Sequence, residues 1–420
     1  MTPDFTADFS RLFLVFFALT LFVRLWLKMR HIRFVAAHRG TVPADFTERI
    51  ALAAHQKAAD YTVDRSKAAI LGTLIEATLL LAFTLGGGLA ALHDFWSSRL
   101  DGLPYGLAMI FSVMIISGLI DLPLSLYSQF VIEARHGFNR MTLGLFCTDL
   151  LKQTLLGVAI GAPVIAAVLW LMSAMGQYWW LYVWLFWSGF NLLIMFVYPT
   201  WIAPLFNKFS PLEDGDMKSR IEALLARCGF RSSGLFVMDG SKRSSHGNAY
   251  FTGFGNNKRI VFFDTLLSRL DPPEVEAVLA HELGHFRKKH VVKRLVLMFA
   301  ASLGFLWLLG QLIDAPWFYA GLGVPAQSTV LALILFFLVM PVFTFPLSPL
   351  MSQLSRRHEF EADAYAAQHA SADDLIRALV KLYQDNASTL TPDPLHSLFH
   401  DSHPPAAQRI AHLQLQEKPA

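Results

Sequence analysis

Seven stretches of this chain are too long and too apolar to be left in water. They run over roughly residues 11–26, 68–91, 103–131, 155–175, 179–202, 295–313 and 329–351. A helix needs about 20 apolar residues to cross the hydrocarbon core of a bilayer. Within that core every backbone N–H and C=O must be paired inside the segment, which leaves these runs the helix as their form. The composition agrees. Of 420 residues, 54% are hydrophobic and 16% are charged, where a soluble domain carries about 25% charge. Disorder, a fibrous protein and an ordinary soluble enzyme are excluded, and an all-α membrane protein with a sizeable polar portion is expected. Net charge is +3, which makes no case for nucleic acid as a partner, and two cysteines imply no disulfide framework. The partner that composition demands is the lipid bilayer itself.

The first run follows acidic residues, Asp4 and Asp8, with no basic stretch before it, so it is read as an anchor and not a removed signal. Asp121, two residues before Pro123, lies inside the third run. A carboxylate there faces water or the protein interior. Lysine and arginine set the orientation. With the N-terminus outside, the inward segments 28–67, 132–152, 205–294 and 350–420 hold 32 of the 35 basic residues, and the outward segments hold only Arg99. Both polar blocks are then cytosolic.

The first polar block reads as α+β. Residues 210–228 have helical spacing, with Gly229 as a stop. Three short strands are expected at 235–238, 249–254 and 259–263, with turns at 240–245 and 255–257. Asp271, Pro272 and Glu274 form a helix-start signature. From there a helix is expected to run through V-E-A-V-L-A-H-E-L-G-H and on into the sixth span, since nothing in the sequence stops it.

That helix carries His281, Glu282 and His285 as H-E-x-x-H. Positions four apart share a face, so the two imidazoles can grip one cation, and Glu282 is placed to act as general base. Zinc suits mixed imidazole and carboxylate ligation. A third ligand is needed, and His290 points off the metal face of a continuous helix. The segment Ser355 to Asp363 offers Glu359 as ligand with Asp363 four residues on, able to orient a ligand histidine. Glu361 faces elsewhere, and His358 and His369 are alternative ligands without an orienting carboxylate.

These segments, with S-H-P-P at 402–405, G-N-A-Y-F-T-G at 247–253 and I-E-A-R-H-G-F-N-R-M-T at 132–142, resemble the type I CAAX prenyl proteases. The resemblance covers most of the chain. It implies an integral-membrane zinc metalloendopeptidase whose seven helices ring a chamber, with a zincin-like cytosolic portion. One catalytic Zn2+ would sit on His281, His285 and Glu359, with Glu282 as base and Asp363 behind a ligand. His403 and Arg409 would steady the oxyanion, and Asn248 would hold the substrate backbone. Substrates would be peptides or proteins, lipidated or membrane-associated. Compact outward loops suggest a bacterial inner-membrane protein acting in membrane-protein quality control. The expected division is 1–205 (spans one to five), 206–290 (protease portion), 291–351 (spans six and seven) and 352–420 (helical segment with the third ligand). The competing reading is a transporter or channel with a structural zinc site. A site-2-type intramembrane protease is disfavoured, because polar sequence flanks the motif on both sides.

Overall fold

The computed structural model describes residues 5–230, 232, 234–252 and 259–416. Among them, seven helices are long and apolar enough to span a membrane: Phe5–Ala37, Leu52–Phe83, Gly102–Arg135, Leu143–Ala174, Gly176–Leu205, His290–Leu312 and Thr329–His369. Each contains most of one apolar run, but most extend well beyond it. The first has 33 residues, about 50 Å at a helical rise of 1.5 Å per residue, against a hydrocarbon core of about 30 Å. The second run is cut short. Its helix stops at Phe83, and Gly87, at φ +78°, caps a new helix over Gly88–Ser97.

The spans do not pack as a solid bundle. Within the apolar stretch of each of the first six, only 6–22% of residues are buried, against 44% in the seventh. They ring a hollow interior. A cavity of about 640 Å³ is lined by Phe17, Arg24, Glu76, Asp121, Phe337 and His400. A second of about 640 Å³ is lined by Lys28, Tyr61, Glu76, Glu133, Arg243 and His246. Glu76 borders both, and Asp121, expected to face water or the protein interior, lines the first.

The polar portion has its own core. Strands β1 (Phe209–Pro211), β2 (Leu235–Met238), β3 (Ala249–Thr252) and β4 (Arg259–Phe263) form a sheet in the order β1-β2-β4-β3. The β2–β4 pair is parallel and the other two pairs are antiparallel. Ile260 and Phe262 pack with Ile221, Leu224, Val275, Leu279 and Leu283. The helix expected over 210–228 begins only at Asp216, because residues 209–211 pair with β2 as an edge strand. Residues 253 and 254 of the strand expected over 249–254 and the turn at 255–257 lie outside the described residues.

The helix Pro272–Arg287 starts where the signature places it. The Asp271 side chain accepts from the backbone of Glu274, and Glu274 Oε2 accepts from the Asp271 N–H at 2.9 Å. It does not run unbroken into the sixth span. Lys288 caps it, Lys289 turns left-handed at φ +56°, and a new helix begins at His290. Neither glycine nor proline marks this break. The interactions of His290, described below, hold it in place.

Candidate metal centre

The site helix lies along the helix Ser348–His369, which continues the seventh span through a short 3-10 turn at Phe345–Leu347. Gly284 sets their separation. A Cβ at Gly284 would lie 2.9 Å from Ala362 Cα and 3.0 Å from its carbonyl oxygen, so the two backbones touch there. That contact explains the glycine inside H-E-L-G-H, and it brings Glu359 and Asp363 opposite the two histidines.

His281 Nε2 and His285 Nε2 lie 3.1 Å apart. Glu359 Oε2 is 3.5 Å from the first, and Oε1 is 3.3 Å from the second. Among the described residues these three form the group of donors close enough to share one metal ion. Ligands about 2.0–2.1 Å from a common tetrahedral ion would lie roughly 3.3 Å from one another, which matches these separations. Glu359 Oε2 is buried and has no hydrogen-bond partner. Its neighbours, His281 Nε2 and Arg409 Nη1, stand 3.5 and 3.6 Å away, which leaves room at this buried oxygen for a closer cation. The residues therefore fit a divalent metal, and two imidazoles with one carboxylate is a donor set that zinc accepts.

The support behind His281 is explicit. Its Nδ1 lies 2.8 Å from Asp363 Oδ1. Asp363 is wholly buried and accepts from Arg409 Nε at 2.8 Å and Nη2 at 2.6 Å. Burial and the neighbouring guanidinium disfavour a proton on His281. Hydrogen bonds to Asp363 and Glu359 outweigh them and raise its pKa to about 9. The pocket thus has a strong appetite for positive charge, which a metal ion meets in place of that proton. Arg409 is held charged, its pKa raised by Asp363 against the opposing effect of burial.

A cavity of about 320 Å³ opens onto this centre. Asn248, His281, Glu282, Glu359, His403 and Arg409 all line it, so seven of the eight residues singled out from the sequence either converge on the pocket or stand directly behind a group that does, and His285 completes the donor set. His403 Nε2 lies 3.5 Å from Glu359 Oε1 and is largely exposed. Arg409 Nη1 is 3.6 Å from Glu359 Oε2. The two alternative ligands do not join the group. His358 stacks on His290, and His369 Nδ1 bonds the carbonyl of Tyr365. Tyr383 also lines the cavity, and sequence reasoning missed it. It sits on the amphipathic helix Ala372–Asp385, where an aromatic residue signals packing only.

Seven membrane helices around a hollow, with a paired-histidine helix closed against a carboxylate from the last span, define an integral-membrane metalloprotease. Comparison with known proteins specifies it further: the chain belongs to the CAAX prenyl protease family, within peptidase family M48. A family model described as CAAX prenyl protease N-terminal, five membrane helices, matches residues 31–208, and that of peptidase family M48 matches 211–417. The chain is 41% identical to a CAAX prenyl protease 1 homolog of Arabidopsis thaliana, over 74% of each chain. It is 35% identical to the homolog of Caenorhabditis elegans, over 96% of this chain and 98% of the relative. It is similar to the crystal structure of S. mikatae Ste24p, with a TM-score of 0.90, 32% identity and coverage of 98% of this chain and all of the other. The transporter or channel reading finds no support in any of these.

Proposed function

We propose that this metalloprotease hydrolyses peptide bonds with one zinc ion held by His281, His285 and Glu359. The observation that carries the reading is the convergence of two imidazole nitrogens and the buried Glu359 carboxylate, with donor atoms within 4.8 Å of one another. When bound, zinc supplies Lewis acidity, which polarises the scissile carbonyl and makes a water easier to deprotonate. Glu282 borders the cavity beside His281. Its carboxylate takes the proton of the attacking water and then hands it to the leaving amine nitrogen. His403, exposed at the mouth, donates to the carbonyl oxygen as it becomes negative, and Arg409 adds fixed positive charge behind it. Asp363 keeps His281 in the tautomer whose Nε2 carries a lone pair. Asn248 adjoins the exposed edge strand β3, and an extended substrate would pair with that edge by main-chain hydrogen bonds.

The substrates of a protease are peptides or proteins. We extend this to lipidated chains, because the relatives are named for a prenyl protease activity and the interior cavity has an apolar wall of Phe17, Phe337 and neighbours. The centre is assigned to the cytosolic side and the N-terminus to the outside, on the basic-residue asymmetry. The relatives named above are eukaryotic, which lends no support to a bacterial membrane. The four-part division at residues 205, 290 and 351 belongs to the same proposal, supported by the change of family model between residues 208 and 211.

Glu282→Gln tests the mechanism. The purified variant should keep a full complement of zinc by elemental analysis and lose cleavage of a peptide library. Cleavage at the wild-type rate would sink the assignment of the base. Parallel assays with a farnesylated peptide and its unmodified twin decide the lipid extension. Equal rates would remove it.

A further inference from the structure

His281 has a visible support in Asp363 and Arg409. His285 has a different one. Its Nδ1 lies 3.0 Å from Nδ1 of His290, and His290 Nε2 lies 2.9 Å from Glu361 Oε2. His290 is 1% exposed, and its ring is stacked on His358 with centroids 4.0 Å apart and planes 14° from parallel. Glu361 is about half exposed, with Lys293 Nζ at 3.8 Å.

With both imidazoles neutral, only one arrangement of protons satisfies this chain. An ionised carboxylate accepts and does not donate. His290 must therefore carry its proton on Nε2, facing Glu361, which leaves a lone pair on its Nδ1. That lone pair accepts from a protonated Nδ1 of His285. The Nε2 of His285 is then bare, and it is the atom facing His281 and Glu359. In the reverse arrangement a lone pair on His290 would confront the carboxylate, and a proton would occupy the ligating nitrogen of His285.

We propose that His290 and Glu361 are the positioning pair that fixes His285 in its metal-ligating tautomer, as Asp363 with Arg409 does for His281. The inference rests on the reading of His285 as a ligand. Sequence spacing hides the pair. On a continuous helix, five residues carry His290 about 140° round from His285. The left-handed Lys289 breaks the helix and returns the imidazole to its neighbour. L residues avoid that conformation, and it persists where surrounding contacts over-determine it. The buried, doubly bonded His290 supplies those contacts. Glu361, two residues from Glu359 and off its face, reaches the same ring from the other helix.

The test is zinc affinity of the full-length protein in detergent, by competition with a chromophoric chelator. His290→Phe keeps the ring's bulk and removes the acceptor, and it should bind zinc about 10–100-fold more weakly, as loss of such supports does elsewhere. His290→Asn places an amide oxygen where Nδ1 stood, and it should recover most of that loss. Glu361→Ala, at a half-exposed position, should weaken zinc several-fold. Glu359→Ala serves as control for the site itself. Wild-type affinity in that control would overturn the ligand reading. A severe loss in the control with unchanged affinity in His290→Phe would overturn the positioning pair alone. Equal losses in His290→Phe and His290→Asn would assign the ring to packing and also overturn it. Should His290→Phe fail to fold, Glu361→Ala decides: several-fold weaker binding supports the pair, and unchanged binding refutes it.

Discussion

In the interior of the membrane portion, Arg24 and Glu76 pair at 2.8 Å with their side chains 31% and 58% exposed, and Asp121 borders the same cavity without an ion pair among the described contacts. At the metal centre, Asp363 is wholly buried, Glu359 and Arg409 are nearly so, and each charge is bonded or aimed at a neighbour within 3.6 Å. The same residue types are thus used in two ways. In the hollow the paired side chains are partly open, and a pair screened by solvent there would contribute little. In the centre, water is excluded, each charge needs an opposite one, and removing a single member leaves the rest uncompensated. A membrane protein need not bury its charges to keep them out of lipid; it can enclose water instead.

Four measurements sharpen or break this contrast. The largest effect is expected from stripping the metal. His281 and His285 precede the sixth span and Glu359 lies on the helix that continues the seventh, so an ion held by all three would tie the two spans together. At a free zinc concentration about 1,000 times the dissociation constant, binding adds about 4 kcal/mol. Chelation should lower the melting temperature by several degrees, and an unchanged transition after verified zinc removal would argue against the tie. Next comes Gly284→Val, which inserts side-chain atoms where the two backbones already touch. A loss of about 1–3 kcal/mol of stability is expected, with zinc binding weakened at the same time because Glu359 is pushed away. Normal zinc affinity would show that the helices separate freely. Third, Asp363→Asn should cost about 10–100-fold in zinc affinity, read by chelator competition. The smallest effect is predicted for Glu76→Gln in the hollow. A screened pair is worth less than about 1 kcal/mol, so its melting point should barely move. A loss of about 3–5 kcal/mol would mean that the hollow is dry, and the contrast would fail.

Much of the centre could be read from local spacing. Helical periodicity puts His281 with His285 and Glu359 with Asp363, and Asp271 with Glu274 declares the helix start. These signals are short-range, so one chain displays them. The break at Lys289 could not be read, because its cause is a tertiary contact between His290 and Glu361 and not a helix-breaking residue. The strand at Phe209–Pro211 was hidden for a similar reason, since pairing with β2 outweighs the helical pattern that follows. The hollow also escaped periodicity. Helices facing lipid on one side and a cavity on the other carry apolar residues nearly all round, and it is the cavities bordered by Glu76 and Asp121 in the folded chain that expose it. Gly284 was visible as a letter in the motif, but its meaning required the neighbouring Ala362.

The helix bearing Glu359 prolongs the seventh span with only a 3-10 turn between them, whereas both imidazoles sit just ahead of the sixth. The seventh span is therefore a lever arm with one end among the apolar helices and the other at Glu359, while the sixth meets the imidazoles across the break at Lys289. Coordination bonds tolerate changes of only about 0.2 Å, and helices adjust their tilt when bilayer thickness changes. The surrounding lipid thus has a mechanical route to the ligand geometry, and the acyl chains around the protein become part of what sets its grip on the metal.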